Sequence, residues 1–480
     1  VSVADPEPAA ERADLVVVGA GPGGHAAAFL AADLGLDVAL VDPEPNPGGV
    51  CLYRGCIPSK ALLHVSRLIH EARHAAEWGV EFGAPRLDLE RLRSFKQRVV
   101  DKLTGGLGQL TRKREIRYVR GRARLAGPEM LEIDTAEGGL SLAFDNAILA
   151  TGSRPSMLPG FPQAARVLDS TSALELAELP GSLLVVGGGY IGLELGSVYA
   201  ALGSAVTVVE MTDGLLPGVD RDLVRPLARR LERDLEAILL GTRVAGVEER
   251  SGRLAVRLAG REASEREQHA REFDAVLVAV GRKPNTEQLG LETTRVRVGR
   301  DGFVEVDAQG RTAEPSIWAI GDLVGQPMLA HKATHEGRVA AEAIAGGKAA
   351  FEPRAIPAVV FTDPEVAWCG LTEDEARAAG RAIEVARFPW AASGRAATLD
   401  RDDGLTKLVI EPETERILGV GLVGPGAGEL IAEGVLAVEM GAVARDLALS
   451  IHPHPTLSET LMEAAEVFFG HATNLYRPRK

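Results

Sequence analysis

From Asp14 to Asp42 the chain reads DLVVVGAGPGGHAAAFLAADLGLDVALVD. The run Asp14 to Gly19 is short, apolar and valine-rich, as suits a strand buried on both faces. Gly19, Gly21 and Gly24 follow, then an alanine-rich helical stretch to about Leu34 that Gly35 ends. A second apolar strand runs Val38 to Val41, and Asp42 closes it. Each part has a duty in holding a dinucleotide. Gly19 permits a tight turn, Gly21 lets a pyrophosphate approach the backbone, and Gly24 packs helix on strand. The helix N-terminus faces the phosphate charge, and the closing acid takes ribose hydroxyls.

One GxGxxG is weak evidence, because glycine turns between strand and helix are common. Here the pattern recurs. Leu183 to Glu210, LLVVGGGYIGLELGSVYAALGSAVTVVE, supplies Gly187, Gly189, Gly192, a helix to Leu202, Gly203, a strand Val206 to Val209, and Glu210. Glycines and acid keep the same spacings in both copies, so two Rossmann-like units and an α/β fold are expected. Glu210 repels a 2′-phosphate, and Met211 to Leu216 contain no Arg or Lys; the nearest following base is Arg221. The second unit is therefore expected to take NAD over NADP.

The whole chain fits an ordinary soluble globular protein. Its 480 residues suit about two to four domains. Lys and Arg number 53 against 67 Asp and Glu, a net charge of −14 that lacks the basic footprint of a nucleic-acid binder. No apolar run reaches the roughly 18 residues of a membrane span. Three cysteines exclude a disulfide scaffold and suit a reducing cytoplasm. Residues 1–13 read as a loose tail, with two prolines and no basic region of a signal peptide.

Cys51 and Cys56 are separated by four residues in GGVCLYRGCIPSKALLH. On a regular α-helix their Cα atoms would lie roughly 8.6 Å apart, beyond the about 7 Å that a disulfide tolerates. Pairing therefore needs a distorted helix, which Gly55 and Pro58 suit. A bridge on a strained helix entry is readily reduced, and a helix N-terminus lowers a thiol pKa. On the residues alone, two buried thiols packed as small hydrophobes are the commoner fate of a cytosolic cysteine.

Eight motifs in order resemble the pyridine nucleotide-disulfide oxidoreductases: GAGPGG (Gly19 to Gly24), GGVCLYRGCIPSKALL, ATGSRP (Ala150 to Pro155), GGGYIGLELG, VGRKPN (Val280 to Asn285), AIGD (Ala319 to Asp322), LAHKATHEG and HPHPTLSE. The resemblance runs from about Asp14 to the C-terminal region. It implies two Rossmann-like dinucleotide-binding domains plus a C-terminal α+β dimerisation domain. These would be an FAD-binding domain at 14–152, an NAD-binding domain at 153–276, a central segment completing the FAD site at 277–352, and a dimerisation domain at 353–480.

The resemblance also implies residue roles. Cys56 would be the thiol nearest the flavin and Cys51 the interchange thiol. Lys60 would sit near the flavin and pair with Glu194. Asp322 would meet a ribityl hydroxyl of FAD, Ala330 would lie where a helix starts toward the flavin, and Thr151, Gly152 and Gly281 would mark turns beside the cofactors. His454, oriented by Glu459, would be the base, acting from the other subunit of a homodimer. Thr456 and Glu459 also spell a capping box, so Glu459 could cap a helix instead. His452 is the competing base. No metal is expected, and Cys369 is expected to be inert and buried.

The implied activity is oxidation of protein-bound dihydrolipoamide with reduction of NAD, in a 2-oxo acid dehydrogenase complex whose lipoyl-bearing acyltransferase is the partner; neither nucleic acid nor membrane is expected. A related low-molecular-weight disulfide reductase and a non-turnover redox sensor are the alternatives. Tyr53 and Arg54 depart from the family, which often has Asn-Val there, and are expected close to the disulfide. From about Pro353 short strands (Val359 to Phe361, Val366 to Gly370, Leu405 to Ile410, Gly419 to Val423) alternate with helices near Thr372 to Ala379 and Gly428 to Met440.

Overall fold

The computed structural model describes residues 11–162, 164–260 and 269–476. The chain divides into two compact units. The first comprises Val1–Ala61, Asp88–Ser156 and Gly281–Glu352; the second comprises Leu62–Leu87, Met157–Val280 and Pro353–Lys480.

In the first unit the parallel strands lie in the order Arg117–Gly127, Val38–Asp42, Glu11–Val18, Gly138–Leu149, Ile317–Ala319. The far ends of Arg117–Gly127 and Gly138–Leu149 sandwich Met130–Thr135 in an antiparallel excursion. Strand side chains alternate between faces. Val16, Val18, Ala39 and Val41 pack with Leu125 and Phe144 on one side. Leu15, Val17, Val38 and Leu40 pack with Ala27, Ala28, Ala31 and Ala340 on the other. Burial on both faces is why these strands read as continuous apolar runs. The helices Pro22–Asp33 and Ala330–Ile344 cross so closely that a Cβ on Gly337 would lie 2.4 Å from the Gly23 carbonyl oxygen.

The second unit repeats the parallel order with Ala237–Leu239, Ala205–Val209, Ser182–Val186, Ala275–Val278 and Val167–Leu168. It carries its own antiparallel excursion, Thr242–Arg250, Arg253–Gly260 and His269–Phe273. Its C-terminal part is an antiparallel sheet in the order Ala358–Val360, Glu365–Gly370, Ile417–Gly424, Leu405–Ile410, Glu384–Pro389. Helices Ala427–Met440 and Glu459–Phe469 close a core around Phe388, Trp390, Leu422, Ile431 and Leu461. Two Rossmann-like domains and a C-terminal α+β domain are thus present.

A buried ion cluster fastens this last sheet to the helix Arg221–Asp234. Lys407 is 1% exposed, and its Nζ lies 2.6 Å from Asp220, 2.8 Å from Asp222 and 2.7 Å from Glu373. Arg387 pairs with Asp222 and Glu373 as well. Burial pushes the Asp222 and Glu373 carboxyls up, but the cations outweigh it and hold both below their ordinary values.

Several boundaries differ from the sequence reading. The first strand begins at Glu11, because Glu11 and Arg12 still pair with Leu142 and Ala143; of the expected tail, residues 1–10 lie outside the described residues. The expected boundary at 276/277 falls inside the strand Ala275–Val278, and the units divide after Val280 instead. Glu384–Pro389 has no counterpart in the expected strands, since its Arg387 and closing proline interrupt an apolar reading. Among the described residues no helix is long and apolar enough to cross a membrane.

Candidate active site

Both glycine cradles have the same construction. A Cβ on Gly24 would lie 1.8 Å from the Gly19 carbonyl oxygen, and one on Gly192 would lie 2.2 Å from that of Gly187. Only glycine allows each helix to seat against its strand turn. No protein atom comes within 4 Å of where a Cβ would stand on Gly21 or Gly189, leaving both helix N-termini approachable by a pyrophosphate. Asp42 accepts the N–H of Ala20 at 2.7 Å through Oδ2 and that of Glu44 at 2.9 Å through Oδ1. Glu210 likewise accepts Gly188 N–H at 2.7 Å and Thr212 N–H at 2.8 Å. Each carboxylate oxygen keeps acceptor capacity for a ribose hydroxyl. Both donor sets therefore fit a dinucleotide.

Arg221 is committed elsewhere. Its guanidinium donates to the carbonyls of Leu215 at 2.7 Å, Leu216 at 2.6 Å and Val219. The nearest base after Glu210 thus braces the loop beside the second cradle instead of offering charge to a 2′-phosphate.

The cysteine segment is two helices, Gly49–Arg54 and Cys56–His74, broken at Gly55 with φ −142° and ψ −115°. The distortion that the spacing demanded is therefore present at Gly55. Cys51 and Cys56 stand as hydrogen-bonded thiols. That bond, then burial, pushes the Cys51 thiol up, with the nearby Lys60 charge pulling the other way. The first helix leans on the first cradle, with Gly48 N–H donating to Ala20 O at 2.8 Å. The side chains of Tyr53 and Arg54 reach the loop after Asp42: Tyr53 bonds to Asn46 and Arg54 pairs with Glu44.

Lys60 is half-buried in the first unit; Glu194, 3% exposed, accepts Phe361 N–H at 3.0 Å in the second. Thr151 and Gly152 form a turn clasped by Asn285, with Thr151 Oγ1 donating to Asn285 O at 2.9 Å and Asn285 N–H to Gly152 O at 2.9 Å. Gly281 has a φ of +124° at the return from the second unit. Ala330 starts its helix as expected.

Asp322 accepts a hydrogen bond from Ser153 Oγ, which itself accepts from Arg282 Nε at 2.7 Å. The preceding turn is held by Glu336, which accepts Gly321 N–H at 2.7 Å and pairs with Lys332 at 2.7 Å. Ser153 and Arg282 were not singled out in the sequence, although they stand inside ATGSRP and VGRKPN. His25 was also missed; its Nδ1 lies 3.3 Å from Ala20 O, and burial lowers its pKa.

His454 Nδ1 lies 2.8 Å from Glu459 Oε1, and Glu459 Oε2 accepts Thr456 N–H at 2.7 Å. Burial pushes the Glu459 carboxyl up, but Thr456 N–H and His454 outweigh it and hold it below the ordinary range. One carboxylate thus orients His454 and holds the Thr456 backbone ahead of the helix. The helix is led by Ser458, and Thr456 Oγ1 turns to Pro453 O, so a full capping box does not form. The His454 side chain is 78% exposed, whereas that of His452 is 7% exposed, with Nε2 2.7 Å from Glu433 and Nδ1 2.9 Å from Ser450 O. Cys369 is 1% exposed and its thiol is pushed up to about 12 by burial.

A dithiol beside one dinucleotide cradle, with a second cradle in the same chain, defines an oxidoreductase that moves electron pairs between thiols and nucleotides. The chain belongs to the pyridine nucleotide-disulphide oxidoreductase family: that model matches residues 13–337, and the family's dimerisation domain matches residues 356–465. FAD and NAD are its cofactors. It is 50% identical to the dihydrolipoyl dehydrogenase of Vibrio cholerae over 465 residues, covering 97% of each chain. The dihydrolipoyl dehydrogenase of Haemophilus influenzae is 48% identical over 97% of this chain and 96% of its own. Among solved structures, Mycobacterium tuberculosis LpdA aligns with TM-score 0.87 and 27% identity over 95% of this chain and 99% of its own. The HOCl-induced flavoprotein disulfide reductase RclA of Escherichia coli, as a Cu(II) complex, aligns with TM-score 0.84 and 30% identity over the same shares.

Proposed function

We propose that the chain oxidises protein-bound dihydrolipoamide to lipoamide with reduction of NAD, in the cytoplasm, as a homodimer serving the lipoyl-bearing acyltransferase of a 2-oxo acid dehydrogenase complex. The observation that carries this reading is the break at Gly55, which brings Cys51 and Cys56 together at the edge of the first cradle. Bound FAD supplies a two-electron acceptor for the dithiol and a hydride donor to NAD. Cys51 exchanges with the incoming dithiol, and Cys56 carries the thiolate toward the flavin. Lys60 offsets negative charge at that end of the site. His454 of the other subunit takes the proton from the substrate thiol and later returns it, with Glu459 fixing its Nδ1–H so that Nε2 is the accepting atom. The first cradle, Gly19, Gly21, Gly24 and Asp42, with Thr151, Gly152, Asp322 and Ala330, holds FAD; Gly187, Gly189, Gly192, Glu210 and Gly281 hold NAD.

The test is anaerobic addition of dihydrolipoamide to the purified flavoprotein before any NAD. A new long-wavelength absorbance band, from thiolate beside oxidised flavin, is the expected result. No band with dihydrolipoamide but a band with NADH would remove this substrate and keep the dithiol relay.

A further inference from the structure

Tyr53 and Arg54 stand between the two cysteines, and in the fold their side chains reach the loop after Asp42. Arg54, the last residue of the helix that carries Cys51, forms an ion pair with Glu44. Tyr53 Oη donates to Asn46 O at 3.0 Å and accepts Asn46 N–H at 3.2 Å. Glu44 and Asn46 belong to the loop that leaves Asp42, and the Glu44 N–H is one of the two donors that orient the Asp42 carboxylate. Tyr118 Oη fixes the same loop at Glu44 O, 3.0 Å away. Where the loop ends, Gly49 rests against Gly21, so that a Cβ there would stand 2.5 Å from Gly21 Cα. An unbroken path of polar contacts therefore joins the ribose-binding acid to the residue preceding Gly55, the hinge between the two cysteines.

We propose that Arg54 and Tyr53 are positioning residues that couple occupancy of the adenosine end of the FAD site to the geometry of the Cys51–Cys56 pair. This rests on the assignment of FAD to the first cradle. A ribose bound by Asp42 fixes the orientation of that carboxylate and hence of Glu44 N–H; Glu44 and Asn46 then hold the Cys51 helix from its C-terminal end. Linkage is reciprocal, so the helix held in place must also favour retention of FAD by the same factor.

The experiment compares alkylation of the reduced cysteine pair by iodoacetamide in holoprotein and in protein stripped of FAD, and measures FAD retention in parallel. In the unaltered chain FAD should change the alkylation rate by about fivefold or more. In Arg54→Gln and Tyr53→Phe that ratio should shrink toward one and FAD should dissociate correspondingly faster. The charge swap Arg54→Glu with Glu44→Arg should restore both, which a merely structural loss would not do. The same alkylation ratio and FAD retention in Arg54→Gln as in the unaltered chain would overturn the coupling. An unaltered chain that binds no FAD would overturn the cofactor assignment itself, and the two failures are told apart before any variant is made.

Discussion

Glu459 holds His454 and the backbone at once: one oxygen lies 2.8 Å from His454 Nδ1 and the other takes Thr456 N–H at 2.7 Å. Replacing His454 by Gln should lower dithiol turnover by about 10² or more. Glu459→Gln should cost less, because the amide can keep one of the two contacts. The Glu459 carboxyl is depressed below its ordinary 4.5, so the stability it contributes is whole above that value and lost as pH falls through the folded one. Steady-state rates of both variants decide the matter; an unchanged rate in His454→Gln would move the base to His452.

Cys56→Ser should abolish dithiol turnover while the protein stays yellow. Cys369→Ala should leave turnover as it was, and Cys369 should resist alkylation in the folded chain, being 1% exposed with a thiol pushed up to about 12. Steady-state rates, a flavin absorbance spectrum and mass mapping of alkylated cysteines together read these outcomes. Fast labelling of Cys369 would mean that the C-terminal sheet opens readily.

Glu210→Ala should raise the KM for NAD by roughly tenfold to a hundredfold, the equivalent of one lost charge-assisted hydrogen bond of about 1.5–3 kcal/mol. It should not confer use of NADP, because Arg221 is spent on the carbonyls of Leu215, Leu216 and Val219. A gain of NADP turnover in Glu210→Ala alone would show that Arg221 swings free.

Lys407→Met should destabilise the fold by about 3–5 kcal/mol, since it leaves Asp220, Asp222 and Glu373 buried with one cation too few. In the natural chain Asp222 and Glu373 are depressed, so their stabilisation is present above their ordinary values of 3.8 and 4.5 and lost on acidification below them. Without Lys407 only Arg387 is left to oppose burial, so both carboxyls rise and the variant's deficit should shrink as pH falls from 7 toward 5. Urea midpoints across that range test the sign; a deficit that grows on acidification would refute it.

Both parallel cores were legible because their strands are buried on two faces and their glycines stand where helix and strand nearly touch. The break between Cys51 and Cys56 was legible too, since helical geometry forbids their approach without it. The antiparallel excursions were not: Arg253–Gly260 and Met130–Thr135 alternate polar and apolar residues in short runs that no motif marks. Neither was the destination of Tyr53 and Arg54, because a side chain's reach to a loop seven or ten residues away depends on how that loop folds back. Ser153 and Arg282 stood in quoted motifs, yet their meeting at Asp322 needs the strand pairing of Ser153–Pro155 with Arg282–Pro284.

The first unit is assembled from three stretches, and its edge strand Ile317–Ala319 and crossing helix Ala330–Ile344 come from the last. On the ribosome every strand of the second cradle's parallel sheet, ending at Val278, is made before Ile317. The cradle encoded first is therefore completed second. Nascent chain that has emerged only to Val280 carries a finished nucleotide fold in its middle and an open sheet edge at Gly138–Leu149, so stable flavin capture belongs to the late stage of synthesis.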